Sequence, residues 1–220
     1  MTFLAPIVPF LPDILQGLLN TLGLWVAGSV LALVLGLLLA VARHFGGTLV
    51  RAPVTTAVGV VRATPFLIQL FLLYYGGPFI GLSLDPIPAG LLGLGIYGGA
   101  YVAEILRGGL EAVPRGHLEA ASCLGLSRAQ AYRRIVLPEI GLLVLPAMIN
   151  MAIVLLKETA VLSVVTVPEL TMAVTAMGAA TFAYAQAAFL LALAYWALTE
   201  ATGHLGRWIE ARAGRLRLAT

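Results

Sequence analysis

Five long apolar runs occupy almost the whole chain, at about 14–42, 53–75, 88–110, 140–165 and 182–208. Crossing about 30 Å of hydrocarbon at 1.5 Å per residue takes roughly 20 residues, so each run is long enough to span a bilayer. Backbone N–H and C=O groups in lipid must be satisfied within the segment, which makes the spans helices. The charge content agrees. Only 10% of the 220 residues are charged, against about a quarter in soluble domains. With a mean hydropathy of +1.00, the chain has too few charges to cover a soluble surface. The expected fold is an all-α integral membrane domain over residues 1–220, with five transmembrane helices and one long polar loop at 111–139.

Several chemistries are excluded by what the sequence lacks. Cys123 is the single cysteine, so no internal disulfide forms and no CxxC metal site exists. His44, His117 and His204 have no metal-ligand spacing, and no HExxH or Ser/His/Asp arrangement is present. No GxxxxGK[ST] phosphate loop occurs, so the chain does not bind ATP in the usual way. No catalytic residue, cofactor or metal site is expected, and nothing points to nucleic acid. The first 12 residues carry no Lys or Arg, so they lack a signal peptide's positive region and are expected to remain as a short lead-in.

The basic residues set the expected orientation. Arg43 and Arg51 flank the first connection. Arg107, Arg115, Arg128, Arg133 and Arg134 lie in or beside the third, and Arg207, Arg212, Arg215 and Arg217 form the C-terminal stretch. In a five-span chain these regions share one side, whereas the other side carries Asp13, Asp85 and Glu169 without Lys or Arg. The expectation is a multi-pass protein with its N-terminus outside and its C-terminus in the cytoplasm. The last three arginines of the tail would rest on anionic lipid heads.

The long polar loop is the most informative stretch. Glu119-Ala120-Ala121-Ser122 favours a narrow helix, and Gly125 can adopt the left-handed conformation that stops it. Ser127 is placed to cap a second helical segment, and Pro138 to occupy the first turn of the next span. Glu-Ala-Ala, three residues, Gly, nine residues, Ile-x-Leu-Pro is matched without a gap by Glu119-Ala120-Ala121, Gly125, Ile135 and Leu137-Pro138. In this the chain resembles the permease subunits of bacterial ABC importers, which carry this loop.

The resemblance extends to the polar amino acid type, the His/Glu/Gln/Arg permeases. Arg62-Ala63-Thr64-Pro65 with Gln69 is similar to that family's Arg-Gly-Thr-Pro-x-x-x-Gln segment. Asn150, Lys157, Thr159 and Leu162 are similar to its Asn…Lys-x-Thr-Ser-Leu segment. Ala63, His117 and Ala160-Val161 depart from the usual Gly, Gln and Ser-Leu. The resemblance implies the type I importer fold in the bacterial inner (plasma) membrane. It implies that Glu119, Ala120, Ala121 and Gly125 contact a separate ATPase subunit, which holds the enzymatic activity. It also implies a second permease subunit, identical or paralogous, and an extracellular or periplasmic binding protein that delivers an amino acid.

Charges inside apolar runs mark the expected path. Each costs about 2.5–3.5 kcal/mol at a helix centre and so faces protein or a cavity. Glu104 with Arg107, and Glu200 with His204, sit one turn apart and are expected to be structural contacts. Arg62 lies beside Pro65, in a helix that proline will kink. Lys157 and Glu158 are adjacent, so they point about 100° apart, and Asn150 shares the face of Lys157. The expected substrate path is therefore Arg62, Gln69, Asn150, Lys157 and Glu158, where Glu158 offers an anion for an ammonium and the others offer donors for a carboxylate. The glycines Gly90, Gly93, Gly95, Gly98 and Gly99 are expected to allow close helix packing or a subunit contact. The alternatives are an ABC permease for another small polar solute, or a secondary transporter, which would need internal repeats that are not evident.

Overall fold

The computed structural model describes residues 7–218, excluding the side chains of residues 115 and 215–218. Residues 1–6 of the expected lead-in, and the tail side chains of Arg215 and Arg217, lie outside the described residues. The described chain is helical and contains no strand. Helix α1 covers Leu11–Phe45 and α2 covers Thr48–Ala63; a short α3, Phe66–Phe71, follows. Helix α4 covers Pro86–Ala112, α5 Arg115–Cys123 and α6 Arg128–Ala131. Helix α7 is Leu137–Glu158, α8 Leu170–Thr181 and α9 Tyr184–Leu218.

The frame is the α1–α4 pair. The buried positions of α1 are Ile14, Gly17, Thr21, Leu24, Gly28, Ala32, Gly36 and Ala40, a mostly small stripe at three- and four-residue spacing. It faces the glycines of α4. A Cβ on Gly98 would lie 2.6 Å from the Ala32 methyl, and one on Gly95 2.5 Å from Leu31. Backbones can approach this closely only where side chains are absent, as expected where lipid gives no hydrophobic drive between helices. The opposite face of α1, including Leu19, Val30 and Leu38, is exposed, as a lipid-facing surface requires. The α4 glycines thus serve packing within the chain.

The helices differ from the expected runs in two places. Three helical stretches are long and apolar enough to cross a membrane, Val8–Phe45, Pro86–Ala112 and Arg128–Val165. The second expected span, 53–75, is not one helix: Thr48–Ala63 and Phe66–Ile80 are bent by 109° at a break. Pro65 lacks the N–H that would continue α2 and holds Thr64 extended, at ψ 134°. Helix α9, 35 residues long, covers most of the fifth expected run, 182–208. Finally, much of the expected outer connection after residue 165 is helix α8, packed between α1 and α9.

Glu169 caps the start of that helix and is fully buried. Its carboxylate accepts from the Thr171 and Met172 N–H groups, both at 2.8 Å, and from the Tyr195 hydroxyl at 3.1 Å. The neighbouring Leu170 N–H donates to Thr21 Oγ at 3.0 Å. A carboxylate at a helix N-terminus satisfies otherwise orphaned N–H groups and meets the positive end of the dipole. Glu169→Ala should therefore destabilise the protein by about 1–3 kcal/mol, the cost of leaving such buried groups unpaired. A thermal melt of the detergent-solubilised variant indistinguishable from wild type would refute this account.

Candidate functional site

The polar loop forms a compact projection between α4 and α7. Helix α5 ends in a tight return: the Leu126 N–H donates to the Ala121 carbonyl at 3.0 Å, and Gly125 sits at φ +73°. That is the left-handed stop expected of this glycine. Ser127 then caps α6. Its hydroxyl accepts from the Gln130 N–H at 3.4 Å, while Gln130 accepts from the Ser127 N–H at 2.9 Å. A π-helical turn, Tyr132–Val136, runs on into α7, whose first turn contains Pro138.

The projection is braced from behind. Val136, Ile140 and Val144 pack with Val113, Leu118 and Tyr132 in a small apolar core. His117 Nδ1 lies 2.8 Å from the Glu139 carboxylate, and His44 Nε2 2.8 Å from the Tyr132 hydroxyl, which ties the loop to the end of α1. Glu119, Ala120 and Gly125 are exposed, and Leu124, absent from the expected contact set, is 79% exposed at the turn. Ala121 is different: at 1% exposure it faces its own chain. A cleft of about 770 Å³ opens beside α5, lined by Glu119, Ser122, Phe45 and Tyr132 among others.

The expected path residues divide. Lys157 is exposed and Glu158 half-buried, with no ion pair between them among the described residues. They sit where α7 gives way to a tighter 3-10 segment, Thr159–Val165. Such a change of helix type within a helical stretch often marks a functional position. Tyr97 lies beside Tyr101 with ring centroids 5.0 Å apart and planes tilted by 52°, and the Arg62 guanidinium lies 5.3 Å from the Tyr101 ring centre. An aromatic track thus leads from Tyr97 to Arg62, and the tyrosines on it were not singled out in the sequence. Their spacing, four residues apart on one face of α4, was the available signal.

Gln69 does not join this track. Its amide nitrogen donates to the Val61 carbonyl at 2.7 Å and to the Thr64 carbonyl at 2.8 Å. Both amide hydrogens are engaged in closing the open end of α2 across the Pro65 break. Gln69 braces the bend and has no donor left for a substrate carboxylate. Asn150 is exposed and lies about 10 Å along α7 from Lys157, seven residues at 1.5 Å each.

The charges expected to be structural are paired. Glu104 holds Arg43 at 2.9 Å, is bonded to Arg107, and lies 3.7 Å from Arg62. Arg107 also pairs with Glu111. Glu200 contacts His204 and Arg207, each at 3.1 Å. Among the described residues no cluster of His, Cys, Asp or Glu could hold a metal ion.

Residues 11–215 match the family described as "Binding-protein-dependent transport system inner membrane component". The chain belongs to this family. It is 36% identical over 169 residues to the glutamine transport system permease protein GlnP of Escherichia coli (strain K12), covering 76% of this chain and 77% of that one. It is 31% identical to the arginine transport system permease protein ArtQ of Bacillus subtilis (strain 168), covering 92% of this chain and 93% of that one. A solved structure, "Crystal structure of an amino acid ABC transporter with histidines", superposes with a TM-score of 0.90 at 32% identity. The match covers 96% of this chain and 99% of that chain. The MetNI methionine ABC transporter shares the fold, with a TM-score of 0.73 at 21% identity over 93% of this chain and 98% of that one. The permease is thus an inner-membrane, multi-pass subunit with the type I importer fold, and the expected fold class stands.

Proposed function

We propose that this permease forms half of an ATP-driven import path for polar amino acids. Its α5 projection is the surface through which a separate ATPase subunit moves it. The observation that carries this reading is the continuity of α7. One end is the start of α7, braced against the loop by His117 and Glu139; the other is the Lys157-Glu158 pair at the change of helix type. A push on α5 therefore reaches the charged pair through a single helix. Glu119, Ala120, Gly125 and Leu124 form the partner-facing side, with Ala121 packed beneath them.

In the same reading the arginine-bearing end is cytoplasmic, as the excess of basic residues there favours. The spans number five when the bent α2–α3 pair and α9 each count as one. A loaded binding protein docks at the opposite end. A second permease, identical or paralogous, completes the path. Binding of ATP by the partner opens the path outward, and hydrolysis returns it inward. The amino acid passes Glu158 and the Tyr97–Tyr101–Arg62 track. Glu158 takes its ammonium, and Lys157 and Arg62 meet its carboxylate. Relatives that carry glutamine and arginine support this substrate class.

Proteoliposomes containing the assembled importer test the substrate side. A hydrogen bond to a charged group contributes about 1.5–3 kcal/mol, and 1.4 kcal/mol is a factor of ten. Glu158→Gln should therefore lower amino acid uptake at least about tenfold, with ATPase assembly and binding-protein affinity unchanged. Unaltered uptake and unaltered substrate preference would remove Glu158 from the path.

A further inference from the structure

A second polar cavity lies between α1, α2 and α4 at the arginine-bearing end and meets the aromatic track only at Arg62. It is a cleft of about 360 Å³ lined by Arg43, Arg51, Arg62 and Arg107 against Glu104 and Glu111. Four cations face two carboxylates, so the cleft carries a net charge of +2. The pairs described above account for Arg43 and Arg107, and Arg62 divides its charge between Glu104 and the Tyr101 ring. Arg51 is exposed and has no carboxylate partner among the described residues. Arg43 Nε is buried there without a hydrogen-bond partner. The Thr55 hydroxyl also lines the cleft, and Gly59 leaves its wall open: a Cβ there would meet nothing within 4 Å.

The cleft lies between membrane-crossing helices, and the α2 side chains turned away from it are apolar and exposed, Leu49 by 93% and Val60 by 60%. In an integral membrane chain, a basic pocket between helices at the end of the apolar stripe matches the headgroup of an anionic lipid.

We propose that this cleft binds the phosphodiester headgroup of an anionic phospholipid. Arg51 is the principal free cation, and the unpartnered Arg43 Nε and the Thr55 hydroxyl are supporting donors. Glu104 and Glu111 hold the remaining arginines in place. This site is separate from the tail arginines, which sit on α9.

The full chain, purified in detergent with its co-purifying partners, is incubated with dioleoylphosphatidylglycerol or dioleoylphosphatidylcholine. Retained lipid is counted by native mass spectrometry. The wild type should retain phosphatidylglycerol in preference. Arg51→Gln should weaken that retention about fivefold, the contribution of one basic side chain near an anionic headgroup, and Arg51→Lys should restore most of it. Gly59→Leu, which fills the cleft without altering its charge, should weaken it as well. Equal retention of both lipids, or retention untouched by Arg51→Gln and Gly59→Leu, overturns the proposal. So does a loss seen only with Arg212→Gln, which would assign the effect to the tail. Competition by inorganic phosphate that displaces the lipid completely would make the cleft a free-phosphate site instead. Loss of the partner subunits in Arg51→Gln, with lipid retention intact, would make it a protein interface.

Discussion

Gly36→Leu should abolish recovery of folded protein. A Cβ at Gly36 collides with the Val102 side chain and comes within 2.9 Å of the Gly99 carbonyl oxygen, a backbone atom that cannot rotate away. A leucine adds three further carbons beyond that point. Overpacking a well-filled contact costs about 1–3 kcal/mol where side chains alone must yield, and here α1 and α4 must separate along their length. The expected cost is thus at or above about 3 kcal/mol, a large part of a typical folding free energy. Size-exclusion chromatography and thermal melts of the solubilised variant provide the measurement. Gly23→Leu on the same helix is the control, since its Cβ meets nothing within 4 Å and the variant should behave as wild type. Equal recovery of both variants would mean that the α1–α4 contact is not close-packed.

Gly125→Val should uncouple the permease from its ATPase while leaving it in the membrane. At φ +73° an L-residue pays about 1–2 kcal/mol, and a β-branched one is a pronounced outlier in this region. A Cβ at Gly125 meets nothing in its own chain, so the penalty is one of backbone conformation. The turn then relaxes, the hydrogen bond from Leu126 to Ala121 opens, and α5 loses its fixed angle to α7. ATP-driven uptake should fall at least about tenfold, as 1.4 kcal/mol predicts, with the amount of membrane-inserted chain unchanged. Asparagine tolerates the left-handed region, so Gly125→Asn should retain most uptake. If both variants fail equally, the glycine is needed as a bare contact surface for the partner; if Gly125→Val transports normally, the rigid turn plays no part in coupling.

Much of the architecture was legible because lipid leaves a chain few options. Apolar length located α1, α4 and α7 within a few residues, and the loop's glycine, serine and proline each occupy the local role their chemistry suggests. What escaped depends on contacts remote in sequence. Pro65 signalled a kink, but the 109° bend is held by Gln69 reaching back to Val61 and Thr64, which a linear reading cannot foresee. Helix α8 was passed over because its 12 residues are too few to cross a bilayer, although nothing prevents so short a helix from packing beside longer ones. The burial of Glu169 follows only from the approach of Tyr195 and of Thr21 beside it. Ala120 and Ala121 are alike in sequence; only the direction of α5 over the loop's core separates the exposed one from the buried one.

The small-residue seam between α1 and α4 has a mechanical corollary. Two helices whose backbones interlock this closely, with Ala32 against Gly98 and Leu31 against Gly95, cannot slide along one another without first separating. They behave as one stiff beam. The degrees of freedom of a transport stroke then fall to the places where the helical ladder is already interrupted. These are the extended Thr64-Pro65 link and the left-handed residues Thr166 and Phe182 on either side of α8. The compliance of this subunit is therefore concentrated in a few joints around a stiff beam.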